Sequence, residues 1–143
     1  MSKIAVAYWS GTGNTEAMAN LVAEGATSAG AEVEVIPCAD FSADKAAEYD
    51  ALAFGCPAMG SEVLEEMDFQ PMFDACKNML SGKRVALFGS FGWGDGQWMR
   101  DWCERVKEDG AVLFSEEGLI CNETPDDDVQ AARRKLGADL AAW

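Results

Sequence analysis

Residues 4–16 read IAVAYWSGTGNTE, and residues 17–22 continue as AMANLV. The apolar run at 4–9 predicts a buried strand, and the spacing of Met18, Leu21 and Val22 predicts a helix directly after it. Between them lies a tight loop of small hydroxylated residues. Such a junction presents backbone N–H groups and the positive end of a helix dipole to one point, which favours the binding of an anion.

Apolar runs alternate with helical patterns along the rest of the chain. The predicted strands are residues 3–9, 32–37, 51–56, 84–90, and 112–114 continuing into 119–121. The predicted helices are residues 14–29, 43–48, 69–80, 96–108 and 125–142. This alternation predicts an α/β fold with a doubly wound, five-stranded parallel sheet. Since no repeat, linker or low-complexity tract interrupts it, we expect a single domain over residues 1–143.

Glycines and aromatic residues mark the expected helix ends and one buried helix face. Gly30, Gly82 and Gly110 stand where helices should end. Trp98 and Trp102 lie one helical turn apart and are expected to pack into the core.

The charge of the chain limits its partners. Eleven basic and 25 acidic residues give a formal net charge of −14, and the chain contains no histidine. Nucleic acids and anionic membrane surfaces are therefore unfavourable partners, whereas a basic patch on another protein is the natural complement. The absence of histidine removes the commonest general base and the commonest metal ligand, so we expect neither catalytic residues nor a metal site.

The cysteines and the N-terminus indicate a reducing compartment. The chain has five cysteines, an odd number, and no C-x-x-C motif, so free thiols in the cytoplasm are expected. The first apolar run is short and lacks a cleavage site, which favours a strand over a signal peptide. No apolar stretch is long enough for membrane insertion.

Three loops follow predicted strand ends, where doubly wound sheets bind their ligands: residues 10–15, 57–62 and 91–96. The first begins like a dinucleotide fingerprint, but Glu16 occupies the third glycine position. It also lacks the Gly-Lys-Ser/Thr of a P-loop. The remaining interpretation is a single phosphomonoester held by backbone amides and hydroxyl groups.

The other two loops each offer a side chain suited to a flat aromatic ligand. Met59 carries a polarizable thioether near a strand end, and Trp93 stands between two glycines. Together with the phosphate loop they indicate a flat ring that carries one phosphate on a short tether. A flavin mononucleotide (FMN) fits this description, whereas a dinucleotide would need room for a second phosphate and an adenine.

Three motifs make the chain resemble a flavodoxin of the short-chain type found in anaerobic bacteria. They are SGTGNTE at 10–16, CPAMGSE at 56–62 and GSFGWGDG at 89–96. The resemblance covers the whole chain in order and spacing. It implies strand order 2-1-3-4-5 with helices on both faces, non-covalently bound FMN, and a low-potential one-electron carrier that shuttles between semiquinone and hydroquinone.

The resemblance also implies residue roles. Residues 10–15 would bind the phosphate, Met59 and Trp93 would stack on opposite ring faces, and Glu62 would accept a hydrogen bond from flavin N3. The Gly60–Ser61 peptide would flip on one-electron reduction. The complete set of expected cofactor-binding residues is Trp9, Ser10, Gly11, Thr12, Gly13, Asn14, Thr15, Ala58, Met59, Gly60, Ser61, Glu62, Ser90, Phe91, Gly92, Trp93, Gly94 and Asn122.

The implied partners are redox proteins with basic docking patches, namely reductases, oxidoreductases and ferredoxin partners. The resemblance also implies that this protein is a monomer. Two alternatives stay open on the sequence. The first is an FMN-dependent NAD(P)H oxidoreductase of the same fold, and the second is a flavin-binding regulatory protein.

Overall fold

The structure, a computed structural model, describes residues 3–9, 14–46, 48–56, 69–76, 82–91, 97–113 and 119–122. The strands are β1 (Lys3–Tyr8), β2 (Glu32–Pro37), β3 (Ala51–Gly55), β4 (Arg84–Phe91), β5 (Val112–Leu113) and β6 (Leu119–Asn122). The helices are α1 (Asn14–Ser28), α2 (Ala43–Ala46), α3 (Phe69–Cys76) and α4 (Gln97–Glu108), with a 3₁₀ turn at Cys38–Asp40.

All strand pairs are parallel, and the sheet order is β2-β1-β3-β4-β5, with β6 also paired to β4. The predicted doubly wound α/β fold and its strand order are confirmed. The fifth position of the sheet holds two short strands instead of one. β5 pairs with Arg84 and Val85 at the start of β4, while β6 pairs with its last four residues, Phe88 to Phe91.

Alternate residues of the central strands face opposite sides of the sheet, where they enter two separate cores. On one side Leu52 and Phe54 of β3 pack in a cluster with Phe73 of α3 and Trp102 of α4. On the other side the intervening strand residues pack against Met18 and its neighbours on α1. Each strand is thus buried on both faces, which explains its nearly continuous apolar sequence. Helices lie on both faces, as expected.

The aromatic core beneath α3 and α4 is tightly interlocked. The Phe54 and Phe73 rings meet edge to face with centroids 5.0 Å apart, and Phe69 meets Trp102 in the same way at 5.4 Å. Trp98 and Trp102 are 1% and 2% exposed, so the predicted buried face of α4 is confirmed.

Two helices end in the same left-handed cap. Gly30 and Gly110 follow α1 and α4 with φ of 94° and 88°, and Gly82 has φ of 74° before β4. After α1 the Ala31 N–H donates to the Ala26 carbonyl at 3.1 Å, which closes a Schellman motif. These glycines therefore confirm the predicted helix ends after α1 and α4. The predicted helix at residues 125–142 lies outside the described residues.

The edge of the sheet at the amino ends of the strands carries a polar cluster around Tyr49. The Tyr49 hydroxyl donates to Glu34 Oε2 at 2.9 Å, and Lys83 Nζ donates to the Tyr49 carbonyl at 2.6 Å. The Lys3 ammonium lies 5.2 Å from the ring centroid. Burial, followed by the hydrogen bond to Glu34, raises the pKa of Tyr49 to about 12.

Candidate functional site

The carboxyl ends of β1 and β3 lie in one row across the sheet with Phe88 of β4, a strand that continues three residues further, to Phe91. Register places Tyr8 of β1 beside Gly55 of β3, and Gly55 beside Phe88 of β4. Hydrogen bonding continues one residue past this row, because the Trp9 N–H donates to the Gly55 carbonyl at 3.0 Å. The sheet order reverses direction between β1 and β3, and such a switch point is where doubly wound sheets bind ligands.

Helix α1 begins at Asn14, six residues after β1 ends at Tyr8, with its N-terminus following the carboxyl end of that strand. Its 15 residues supply a helix dipole, and the N–H groups of its first turn point away from the helix body without partners inside the helix itself. Thr15 lies in that turn with only 1% of its surface exposed. A hydroxyl-bearing residue at a helix N-terminus suits an anion such as a phosphomonoester.

The end of β3 is joined to β4 and α4 through the backbone of Cys56. The Cys56 N–H donates to the Phe88 carbonyl at 3.2 Å, and the Cys56 carbonyl accepts from Trp98 Nε1 at 3.2 Å. A Cβ atom at Gly89 would lie 2.2 Å from that carbonyl oxygen and 3.1 Å from the Trp98 ring. The absence of a side chain at Gly89 is therefore required for this close approach.

The same edge continues onto β6. Register places Asn122 beside Phe91 and Cys121 beside Ser90, so the last residues of β4 and β6 end side by side. Of the residues expected from the sequence, Ser90, Phe91 and Asn122 thus come together at the end of β4. Trp9, Asn14 and Thr15 lie at the neighbouring junction between β1 and α1.

The remaining expected residues lie outside the described residues, although each loop starts directly from a described strand end. They are Ser10, Gly11, Thr12, Gly13, Ala58, Met59, Gly60, Ser61, Glu62, Gly92, Trp93 and Gly94. The contact between Trp98 and Cys56 was not predicted, because helical spacing marks Trp98 only as a core residue. The one signal of close packing there was Gly89, a glycine inside a predicted strand.

Burial raises the pKa of one tyrosine at this edge and of one thiol in the core. Burial, then Glu16 and Cys38, raises the pKa of Tyr8. Farther along the core, burial raises the pKa of the Cys76 thiol to about 11. Cys38, Cys56, Cys76 and Cys103 are buried free thiols, so at neutral pH we expect them to act as small apolar side chains.

Within the described ranges, no group of three or more metal-ligating side chains gathers. No helix among the same residues combines the length and apolarity that a membrane crossing requires.

Fold and edge together define the class: a doubly wound α/β protein whose topological switch point, next to a helix N-terminus, suits a phosphate-bearing ligand. Comparison with known proteins identifies the family within this class. The profile of the flavodoxin family matches residues 6–135. The chain is 49% identical to a flavodoxin of Clostridium beijerinckii over 122 residues, which cover 85% of this chain and 88% of that protein. A flavodoxin of Megasphaera elsdenii is 46% identical over 123 residues, covering 86% and 88% of the two chains.

The structural comparison agrees. The solution structure of two-electron reduced Megasphaera elsdenii flavodoxin superimposes with a TM-score of 0.90 at 43% identity, covering 98% of this chain and 99% of that one. The chain belongs to the flavodoxin family, and it is an FMN-binding electron carrier. The described residues fit that cofactor, because the α1 N-terminus suits its single phosphate and the adjacent strand ends lead into the loops that would flank its ring.

Proposed function

We propose that this protein binds FMN at the carboxyl edge of its sheet and passes single electrons between redox proteins. In this proposal residues 10–15 hold the phosphate, and Met59 and Trp93 cover the two faces of the ring. Glu62 accepts a hydrogen bond from the ring edge, while Ala58, Ser90 and Asn122 line the ribityl chain. When bound, FMN supplies the capacity to accept and release electrons one at a time.

The observation that carries the proposal is the row Tyr8, Gly55 and Phe88. These residues belong to three adjacent parallel strands, and their register brings the ends of β1 and β3 and the last four residues of β4 to one edge of the sheet. Each of the loops that follow these strands carries one part of the flavodoxin motif set. Family membership alone says which cofactor is bound, whereas this register supports a single binding edge for it.

The loops next to this edge have an acidic composition that suits a low potential. Residues 10–13, 57–68 and 92–96 contain Glu62, Glu65, Glu66, Asp68 and Asp95 but no lysine or arginine. Negative charge near the ring disfavours the addition of a further negative charge to it, and a carboxylate in a partly dry site acts most strongly. Glu62 has the central role here because it is the acid proposed to touch the ring.

Replacing Glu62 with Gln tests this tuning. We expect Glu62→Gln to raise the potential of the second one-electron step, because the bound ring would no longer gain its negative charge beside a carboxylate. A rise of about 60 mV corresponds to 1.4 kcal/mol for one electron. The potentials would be measured by anaerobic titration against reference dyes.

Glu24→Gln is the matched control for this experiment. It removes the same charge from an exposed position of α1, ten residues beyond Asn14, which is about 15 Å along the helix. An equal shift in both variants would show that net charge alone sets the potential. A lowered or unchanged potential in Glu62→Gln would contradict the role of that carboxylate.

The charge distribution also supports docking through this edge. Lys3, Lys83 and Arg84 lie at the amino ends of β1 and β4, and Arg105 and Lys107 lie in the last turn of α4, which leads to the amino end of β5. These five cations lie away from the proposed FMN edge, whereas Arg100 lies beside it, in the first turn of α4. We propose that this edge faces basic patches on reductases, oxidoreductases and ferredoxin partners in brief, salt-sensitive encounters.

We further propose that the protein acts as a cytoplasmic monomer formed by a single domain over residues 1–143, and that it is an electron-transfer protein and not an enzyme. The buried free thiols support a reducing compartment. The family match over residues 6–135 supports one unit.

Stepwise anaerobic reduction of the FMN-loaded protein, followed by visible absorption, tests the central proposal. We expect two separate one-electron steps with well-resolved potentials. A single two-electron step, together with rapid oxidation of added NADH or NADPH, would support the oxidoreductase alternative instead. Failure of the purified protein to bind FMN would overturn the proposed site.

A further inference from the structure

Both polar backbone groups of Cys56 are used in hydrogen bonds that leave β3. The N–H donates to Phe88 of β4, and the carbonyl accepts the indole N–H of Trp98, each at 3.2 Å. The Trp98 bond is buried, and it joins residues 42 positions apart in the chain. A buried hydrogen bond of this kind is costly to break, because water cannot replace the lost partner.

The positions of these two residues in the chain give the bond its importance. Cys56 directly precedes the loop 57–62, and Trp98 follows the loop 92–96 after a single residue, Gln97. One side-chain bond therefore ties the start of one loop to the end of the other. Gly89 makes this possible, because a Cβ atom at that position would occupy the space of the Cys56 carbonyl.

Trp98 is also held firmly enough to act as a fixed anchor. Its side chain is 1% exposed and belongs to the same aromatic core as Trp102 and the phenylalanines of α3. A ring packed in this way has little freedom to follow a moving loop, so the Cys56 carbonyl must instead keep its place.

We propose that Trp98 is a positioning residue for the FMN site. It fixes the separation between Cys56 and the start of α4, the described residues that precede the loop 57–62 and follow the loop 92–96, before the cofactor arrives. This inference rests on the proposed function, in which those loops carry Met59 and Trp93 on opposite ring faces. Preorganised loops lose less conformational freedom on binding, so they bind more tightly.

The variant Trp98→Phe tests this role, since it keeps an aromatic ring and removes the donor. We expect the Kd for FMN to rise about tenfold, the equivalent of one buried hydrogen bond. We also expect the two one-electron potentials to shift by unequal amounts, so that the ratio of the two reduction constants changes at least about threefold. A residue that served stability alone would lower the unfolding midpoint and leave that ratio unchanged.

Trp102→Phe is the matched control. Trp102 lies one turn along the same helix and is equally buried, but its Nε1 has no hydrogen-bond partner among the described residues. We expect this variant to keep the FMN Kd and the ratio of reduction constants within about twofold, well inside 1.4 kcal/mol. If both variants change the Kd and this ratio equally, or if Trp98→Phe changes neither, the inference is wrong.

One further measurement avoids dependence on the folding of the variant. In the NMR spectrum of unaltered FMN-loaded protein, we expect the Trp98 indole proton to resonate downfield of the Trp102 indole proton, as a hydrogen-bonded donor does. Coincident resonances would contradict the bond to Cys56. Absence of FMN binding by the unaltered protein would instead overturn the proposed function, so the two failures are distinguishable.

Discussion

We expect the substitution Gly89→Ala to destabilise the fold, because it adds a methyl group to β4 where the structure has no room for one. The new Cβ would lie 2.2 Å from the Cys56 carbonyl oxygen, far inside contact distance, and 3.1 Å from the Trp98 ring. The Cys56 carbonyl is a backbone group held by the Trp98 indole, and the Cys56 N–H is held by the Phe88 carbonyl, so its rotation would break buried hydrogen bonds. Overpacking of this kind costs about 1–3 kcal/mol. Displacement of the Trp98 donor adds about 1 kcal/mol.

One opposing effect reduces this total. Gly89 does not have a left-handed backbone, so alanine fits its conformation and lowers the entropy of the unfolded chain by about 0.4–1 kcal/mol. The expected net loss in the free energy of unfolding is therefore about 1–3 kcal/mol. Urea denaturation, followed by tryptophan fluorescence with and without a fixed excess of FMN, measures it.

A double-mutant cycle shows whether the loss passes through Trp98. In the double variant Gly89→Ala/Trp98→Phe the indole donor is already absent. Its loss in the free energy of unfolding should therefore be smaller than the sum of the losses in the two single variants, by at least about 0.5 kcal/mol. Strict additivity would mean that the clash does not reach the indole. A Gly89→Ala variant as stable as the unaltered protein would refute the geometric reasoning altogether.

Two further predictions concern the rest of the fold. Because the folded state holds the Tyr49 proton up to about pH 12 and the unfolded chain releases it near 10, this group stabilises the fold below pH 10 and loses that contribution as the pH rises through 12. Tyr49→Phe should flatten the fall of the urea midpoint between these values, and an unchanged slope would assign it to other groups. Arg105 pairs with Asp74 and lies over the Phe73 ring with 4.9 Å to its centroid. Arg105→Lys should therefore lower the free energy of unfolding in urea by about 0.5–1 kcal/mol, and an unchanged value would contradict a contribution from the guanidinium geometry.

The sequence predicts most of the sheet because burial on both faces leaves a direct mark on composition. β2 matches its predicted bounds, and β1, β3 and β4 differ from theirs by a single residue. The split of the fifth strand was not predicted, because apolar runs do not show which part of β4 each one contacts. Strand register and neighbouring chain direction decide that, and both are properties of the assembled sheet.

The candidate site also combines features that the sequence predicts with features that only the folded structure shows. A loop motif reports its chemistry locally, so residues 10–15 point to a phosphate from sequence alone. The bond from Trp98 to Cys56 depends on the β3–β4 register and on the seating of α4, which a pattern of spacings cannot express. Trp98 was expected to lie in the core, and that prediction is confirmed. Its proposed positioning role depends on the packing of Gly89 and Cys56 against it, which only the folded structure shows.

The two edges of the sheet act independently in electrostatic terms. Strands of this length span about 17–20 Å, whereas the screening length at physiological ionic strength is about 8 Å. Lys3 and Lys83 at the amino edge are also engaged locally, by the Tyr49 ring and its carbonyl. Their charges therefore cannot offset carboxylates beside a ligand at the carboxyl edge. It follows that charges near the carboxyl edge set the local field there, namely the loop carboxylates and Arg100 in the first turn of α4. A carrier with this strand order can therefore lower its potential without losing the cations that stabilise its opposite end.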